Sequence, residues 1–405
     1  MARMSQRAPA LVLRAGLVAL LLGACGGTTT KDATRPSTLA KPGAASSTPA
    51  STPSPSSKRA QALPGPSPRV AKPVAEPPDP RSWSSRQLAA ELVMTGAKMG
   101  DAAAIEHAAA MGVGGVVLFD PSSPNLARTL TKARAAAPRG NLPLVASDEE
   151  GGQVQRLSAL IYPLPSAEVM GHWSPARITM TARAYALRMK ALGVNVSLSP
   201  VTDVAIPGYF IAATHRSFSE SPRQVGVDVN AWADGLAAAG VLGVIKHWPG
   251  HGQASDTHKG GSSVPPWSAL EGRDLVPFKA AFAHQVDAVM VAHLRVPELT
   301  EGELPASQSP RAMRTLRAQA GATVLILTDD LSMAAASTTL GITPAQAAVR
   351  SLLAGADVAM VCWAPVDVVI SEVAHAIDDG QLSRAQAVAS ARRVLRVKMQ
   401  VALPR

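Results

Sequence analysis

The stretch LGVIKHWPGHG, residues 242–252, joins an apolar run directly to a cluster of charged and turn-forming residues. Its first four residues, 242–245, contain no polar side chain, which is typical of a short strand that is buried on both faces. Lys246 and His247 follow at once, and a lysine is rarely buried without a partner. The stretch therefore predicts a strand of a parallel sheet that carries polar side chains to a site at its carboxyl end.

Similar apolar runs recur along the chain and alternate with segments of helical periodicity. The runs lie at 92–94, 114–119, 144–146, 194–198, 242–245, 288–292, 324–327 and 358–362. Helices are predicted at 179–192, 221–240, 270–284, 344–355 and 384–401. Eight strands, each followed by a helix, within residues 83–405 match the count and length of one (β/α)8 TIM barrel. A doubly wound open sheet is the alternative fold.

The positions of the polar residues favour the barrel. Polar clusters follow the third run at 147–156, the fifth at 246–258 and the seventh at 328–333, and His293 ends the sixth. Catalytic residues of a barrel collect at the carboxyl ends of its strands. Four clusters in equivalent positions therefore predict one site at one rim.

These clusters resemble the motifs of glycoside hydrolase family 3, specifically its β-N-acetylglucosaminidase branch, over about residues 86–403. Residues 246–258 contain KHWPGHG and then DTH, similar to the family's K-H-F-P-G-H-G and D-x-H. Residues 328–333, TDDLSM, look like S/T-D-x-L-x-M, and residues 148–156, DEEGGQVQR, look like D-x-E-G-G-x-V-x-R. Residues 216–218 are similar to its R-S-F element. The resemblance implies a retaining enzyme that removes terminal β-linked N-acetylglucosamine.

A retaining glycosidase needs a carboxylate nucleophile and a separate proton donor. By the resemblance, Asp329 is the nucleophile. The adjacent Asp330 is the alternative, but successive residues that leave a strand point in different directions, so only one of the two is expected to face the barrel mouth.

The resemblance assigns the proton donor to His258, oriented by Asp256. A histidine titrates near neutral pH and can serve as acid in one step and base in the next. Three residues separate Gly252 from Asp256, one fewer than in the family's usual pattern. Several glycines flank the pair, so the loop is expected to be flexible.

Sugar recognition requires polar groups that fix several hydroxyls at once. The resemblance gives this role to a set of charged and polar residues, with His293 either a member or a packed core histidine. The set is Asp148, Arg156, Arg216, Lys246, His247 and His293. His251 is expected to shape its loop rather than contact sugar.

A metal site and a cofactor are not expected. His247 and His251 are four residues apart, but Pro249 and Gly250 between them break the helix face that a zinc hydrolase uses, and no glutamate lies between them. Two other functions remain open: another family 3 β-glycosidase such as a β-glucosidase, and a lipoprotein that binds wall glycan without cleaving it.

The N-terminal residues predict export and lipidation. Basic residues precede an apolar segment at 15–22 that is too short to span a bilayer. LGAC, residues 22–25, resembles the lipobox of bacterial lipoproteins, in which cleavage leaves an acylated Cys25 at the new N-terminus. Residues 1–24 are thus predicted to be a signal peptide, residues 25–82 a disordered tether rich in Ser, Thr, Pro and Ala, and residues 83–405 the catalytic domain.

Charge excludes a nucleic-acid platform. The net charge is +10, but 11 of the 39 basic residues precede residue 83, where only three acidic residues occur, so the predicted domain carries 28 basic against 26 acidic residues. The expected partners are a GlcNAc-containing peptidoglycan fragment as substrate and the outer face of the cell membrane through the lipid anchor. Nothing in the sequence requires more than a monomer.

Overall fold

Eight parallel strands close into a barrel in the computed structural model, which describes residues 79–138 and 143–402. Sequential pairing runs from the first strand to the seventh, and the eighth strand pairs with the first through Val93 and Ala359. A bridge between Leu327 and Val358 joins the seventh strand to the eighth. The predicted (β/α)8 barrel is therefore confirmed, and the doubly wound open sheet is excluded because such a sheet has two free edges.

All eight predicted strands are present, and four short strands accompany them. The barrel strands are β1 Val93–Lys98, β2 Gly115–Phe119, β3 Leu144–Ser147, β6 Val196–Ser197, β7 Leu242–Trp248, β9 Ala288–Val291, β11 Leu325–Thr328 and β12 Ala359–Val361. The short strands β4 Glu149–Gly151 with β5 Val154–Gln155, and β8 Ser262–Ser263 with β10 Leu294–Arg295, form two small sheets beyond the barrel.

Eight of the thirteen helices in the described ranges begin after a residue whose side chain caps the first turn. They are α1 Ser85–Glu91, α2 Ala102–Ala110, α3 Leu126–Ala136, α4 Ala167–Met170, α5 Pro175–Leu192, α6 Phe210–Ala213, α7 Pro222–Ala238, α8 Trp267–Glu271, α9 Leu275–Ala283, α10 Pro310–Ala320, α11 Pro344–Ala354, α12 Val366–Asp378 and α13 Arg384–Gln400. Thr343 and Gln346 form a capping box before α11, and Gly193 ends α5 with a φ of 92°.

One helix prediction was wrong. The segment expected as a single helix at 270–284 is two helices, α8 and α9, because Gly272 ends the first and the chain turns before Leu275. Three-residue 3₁₀ turns occupy Pro80–Ser82, Ala306–Gln308 and Thr338–Leu340.

Two buried clusters fill the domain, one on each side of the barrel wall. Alternate residues of each strand, such as Leu242 and Val244 of β7, face inward and form the inner cluster. The residues between them, such as Ile245, face the surrounding helices and form the larger outer cluster. This alternation decides which side chains reach the barrel axis at the carboxyl ends of the strands.

The C-terminal helix α13 closes the base of the barrel. Val394 and Val397 belong to the inner cluster, and Arg393 and Arg396 donate hydrogen bonds to the carbonyls of Ala322 and Thr323, just before β11. The base is therefore sealed, and the carboxyl rim is the open end.

The described domain begins before the predicted boundary at residue 83. Asp79 pairs with Arg392 of α13 at 2.9 Å, and the carbonyl of Trp83 accepts a hydrogen bond from Arg384. Within residues 79–138 and 143–402, no helix has the length and apolarity that crossing a membrane requires. The predicted signal peptide, Cys25 and the predicted tether up to residue 78 lie outside the described residues.

Candidate active site

The inward-facing rows of three strands continue into charged residues at the open rim. Leu144 and Ala146 face the barrel axis, and Asp148 is the next residue in that alternation. By the same alternation Lys246 continues the row of β7 and Asp329 continues the row of β11. The barrel therefore brings three predicted site residues from separate strands to one mouth.

Asp329 and Asp330 are held in different ways. Oδ1 of Asp329 accepts the backbone N–H of Asp330 at 2.8 Å. Oδ1 of Asp330 instead accepts the backbone N–H groups of Ser332 and Cys362, each at 2.9 Å, so Asp330 joins the seventh strand's loop to the eighth strand. Backbone N–H groups thus occupy the side-chain oxygen Oδ1 of Asp330, whereas Asp329 lies in the inward-facing row of β11.

The carboxylate of Asp329 is ionised. Burial alone would raise its pKa, but His247, His293, the backbone N–H of Asp330 and Lys246 outweigh that effect and lower the pKa to about 2. A carboxylate with this pKa carries its negative charge throughout the physiological range, as a nucleophile must.

Lys246 belongs to a buried network of two cations and two carboxylates. Its Nζ lies 2.8 Å from Oδ1 of Asp148 and 2.6 Å from Oε1 of Glu150. Arg216 binds Glu150 through both Nε and Nη2, at 2.7 and 2.8 Å. Burial would lower the pKa of Lys246, but Asp148 and Glu150 raise it, and Arg216 and Lys246 in turn hold the pKa of Glu150 well below its usual range despite burial. Lys246, Glu150 and Arg216 are therefore charged.

His247 is fixed by Asp203, a residue that the sequence analysis did not select. Nδ1 of His247 lies 2.7 Å from Oδ2 of Asp203, whose Oδ1 accepts the backbone N–H groups of His247 and His251. The peptide bond between Lys246 and His247 is cis. Burial lowers the pKa of His251 to about 4, so this ring is neutral at pH 7, in keeping with a role in shaping the loop.

The pair Asp256 and His258 lies in an exposed part of the same connection. Nδ1 of His258 is 2.8 Å from Oδ1 of Asp256, which also accepts the backbone N–H of His258. The His258 side chain is 68% exposed, and that of Asp256 is 20% exposed. Burial would raise the pKa of Asp256, but the hydrogen bonds from His258 hold it below its usual value. The pair is formed despite the loop that is one residue shorter.

The last two predicted binding residues have protein partners. Nη1 of Arg156 lies 3.2 Å from Oδ2 of Asp120, and its guanidinium lies 5.8 Å from the centre of the Phe119 ring. Both ring nitrogens of His293 are used, by Ser307 Oγ at 2.7 Å and by the carbonyl of Asp330 at 3.0 Å. These contacts make His293 a support of the loop after β11, and its contact with sugar stays a prediction.

No group of three or more His, Cys, Asp or Glu side chains in the described ranges has the arrangement of a metal site.

Glu150 and Asp203 are the functional candidates that sequence reasoning missed. Glu150 lies inside the DEEGGQVQR motif, and Asp203 follows the fourth strand as the other polar clusters follow theirs. Position after a barrel strand was therefore a usable signal for both.

Comparison with known proteins places these motifs in context. Residues 86–397 match the glycosyl hydrolase family 3 N terminal domain. The chain is 36% identical over 342 residues to a β-hexosaminidase, LpqI, of Mycobacterium tuberculosis, covering 81% of this chain and 87% of that one. It is 37% identical over 263 residues to a β-hexosaminidase of Xanthomonas oryzae, covering 62% and 76%.

Solved structures of family 3 proteins also superpose on this chain. A glycosyl hydrolase family 3 member from Mycobacterium smegmatis superposes with a TM-score of 0.72 at 35% identity, covering 79% of this chain and 98% of that one. A family 3 β-N-acetylglucosaminidase from Paenibacillus superposes with a TM-score of 0.72 at 27% identity, covering 78% and 62%.

Proposed function

The chain belongs to glycoside hydrolase family 3, and we propose that it is a retaining exo-β-N-acetylglucosaminidase acting on cell-wall fragments. The observation that carries the proposal is the ionised carboxylate of Asp329 in the barrel mouth, on the same rim as the buried cation Lys246. The names of the similar proteins, β-hexosaminidase and β-N-acetylglucosaminidase, support the choice of sugar.

In the first step Asp329 attacks the anomeric carbon and the glycosidic bond breaks. Oδ1 of Asp329 accepts the Asp330 N–H, so Oδ2 is the oxygen that we assign to the attack. His258 gives its proton to the leaving oxygen, and a glycosyl ester of Asp329 forms. Asp256 stabilises the imidazolium through its contact with Nδ1, which leaves Nε2 to exchange the proton.

In the second step water replaces Asp329 at the same carbon. Neutral His258 takes the proton of the attacking water, the ester breaks, and the sugar leaves with its original configuration. Lys246, Asp148, Arg216 and His247 hold the hydroxyls far from the cleaved bond. Their side chains are already held by protein partners, so binding does not require them to be reorganised.

The test compares hydrolysis of nitrophenyl β-N-acetylglucosaminide with that of the glucoside by the full chain. We expect release from the acetamido sugar alone, and Asp329→Ala should lower kcat by more than about 10⁴-fold, beyond what loss of a general acid costs. Asp330→Asn is the matched control, because one amide oxygen still accepts from Ser332 and Cys362.

Each alternative function has its own outcome in this assay. Preference for the glucoside would indicate another family 3 β-glycosidase, and no release from either sugar by folded protein would indicate a wall-binding protein. Mass spectrometry of muropeptides before and after incubation tests the cell-wall substrate. The expected change is the loss of one N-acetylglucosamine from each muropeptide.

Export and anchoring are part of the same proposal and rest on the sequence around Cys25. We propose that an acylated Cys25 holds the enzyme at the outer face of the membrane, where wall fragments are available. Metabolic labelling with a fatty acid should mark the wild-type chain and not Cys25→Ser. Label on both chains would contradict lipidation at this residue.

A further inference from the structure

Two aromatic rings lie together on the open rim of the barrel. The rings of Trp363 and Phe119 have centroids 4.8 Å apart and are tilted by 47°. Trp363 is 57% exposed, whereas the other tryptophans of the chain are buried or partly buried. We call this pair the aromatic platform. An exposed tryptophan on a rim that carries catalytic groups suits a ligand contact better than a packing contact.

The platform is attached to the loop that carries Asp329. The backbone N–H of Trp363 donates to Oγ of Ser332 at 3.0 Å, and the backbone N–H of Ser332 donates to Asp330 at 2.9 Å. Asp330 in turn donates its N–H to Asp329. Trp363 is therefore linked to the nucleophile by three successive hydrogen bonds, which fixes its backbone relative to the reacting atom.

Phe119 lies on β2, which pairs with one edge of β1, whereas Trp363 follows β12, which pairs with the other edge. It is the last residue of β2 and packs against the inner cluster, so its ring faces the barrel mouth. Gly96 of β1 lies between the two strands, and a Cβ there would come within 2.7 Å of Cys362, next to Trp363. The missing side chain at 96 lets the end of β12 approach β1, and Trp363 reaches Phe119 across it.

The platform lies further out than the residues assigned to the cleaved sugar. Lys246 and His247 are only 2% and 5% exposed, against 57% for Trp363. In an exo-acting pocket the terminal sugar fills the closed end, and the leaving group points out of the mouth. The apolar faces of pyranose rings stack on aromatic side chains, because the C–H groups of a sugar contact the ring as other apolar groups do.

We propose that Trp363 and Phe119 bind the leaving-group sugar, which stacks on their rings. The terminal N-acetylglucosamine then contacts the buried network around Lys246. The inference rests on the proposed function and deepens it, because it names the residues that select a glycoside with a sugar leaving group. Trp363 then determines specificity for the leaving group and takes no part in bond cleavage.

The test compares a substrate that has a leaving-group sugar with one that has none. For N-acetylglucosaminyl-β-1,4-N-acetylmuramic acid, Trp363→Ala should raise KM and lower kcat/KM roughly 3- to 10-fold. For N-acetylglucosaminyl fluoride, the same variant should lose less than about twofold. Trp363→Phe keeps a stacking ring and should recover most of the loss. Leu187→Ala, an exposed residue on the outer helix α5, should change neither substrate.

Equal losses on both substrates would overturn the proposal, since Trp363 would then act on the terminal sugar or on the fold. An unchanged KM for the disaccharide would overturn it as well. Failure of the proposed function gives a separate result, no turnover of either substrate by wild type. In that case calorimetry in the Asp329→Ala background decides, because Trp363→Ala should still weaken the disaccharide and leave free N-acetylglucosamine unaffected.

Discussion

The connection after the fifth barrel strand has two halves of opposite character. In the first half, Lys246 and His247 have side chains 3% and 6% exposed, and each bonds to a carboxylate. In the second half, His258 is 68% exposed and its neighbour Lys259 is 84% exposed. Both halves contain a basic residue paired with aspartate, so the difference lies in burial and not in residue type.

In the proposed mechanism this difference separates sugar binding from proton transfer. The first half is fixed by Asp148, Glu150 and Asp203, each on a segment that leaves another barrel strand, so it is rigid before substrate arrives. The second half has fewer anchors: Ser255 bonds to Ser262, and Thr257, between Asp256 and His258, accepts the N–H of Ala335 through its carbonyl and contacts His251 through its hydroxyl. A weakly held loop can approach a bound sugar, and a rigid one can select it.

Within this connection the largest expected effect is that of removing the proposed proton donor. His258→Ala should lower kcat on the disaccharide by about 10²–10⁴-fold, because the leaving oxygen then departs without a proton. N-acetylglucosaminyl fluoride needs less protonation at the leaving atom and should lose much less in its first step. Steady-state and pre-steady-state kinetics on the two substrates measure this. A change of more than about 0.5 kcal/mol in unfolding free energy would contradict the separation, since exposed substitutions rarely exceed it.

A pair of lysine substitutions tests the burial difference directly. Lys246→Met removes the cation from a buried network and leaves Asp148 without its partner, so we expect a loss of about 3–5 kcal/mol in unfolding free energy. Lys259→Met removes an exposed cation from Asp256 and should stay within about 0.5 kcal/mol. Denaturant titrations of both variants give the comparison. Similar losses in the two would show that the halves are equally integrated into the fold.

The smallest change in unfolding free energy is expected when alanine replaces either of two glycines, one in each half. Gly250 has a φ of 126°, and a Cβ there would lie 2.6 Å from Cβ of Asp274, so Gly250→Ala should cost about 1–3 kcal/mol. A Cβ at Gly260 would meet no atom within 4 Å, so Gly260→Ala should be nearly neutral for stability. Thermal unfolding of the two variants tests this, and a neutral Gly250→Ala would mean that the first half is not rigid.

The fold was predictable because its strands are continuous apolar runs. Each of the eight runs, including the short one at 92–94, corresponds to a barrel strand, and the polar clusters after them meet at one rim. The break between α8 and α9 was not predicted, because apolar spacing continues through Gly272 and the turn depends on tertiary packing. The sequence periodicity carries no information about that packing.

The site was predictable where a motif contains the residue and less so where a partner comes from another strand. Lys246 and Asp148 were selected, but Glu150, which pairs with both Lys246 and Arg216, was not. Asp203 could have been selected from its position after the fourth strand, but its pairing with His247, 44 positions away in the chain, could not. Such pairs exist only after the barrel has closed, so sequence spacing cannot reveal them.

The contact between Asp79 and Arg392 fixes where the upstream chain joins the domain. Arg392 belongs to the helix that seals the base, so Asp79, the first described residue, lies at the end of the barrel opposite the mouth. A resin or a fused partner joined directly at Asp79 would therefore be connected to the domain at its base, away from the groups at the rim. Immobilisation of a chain that begins at Asp79, through its new N-terminus, should therefore preserve turnover of large substrates better than attachment at the rim.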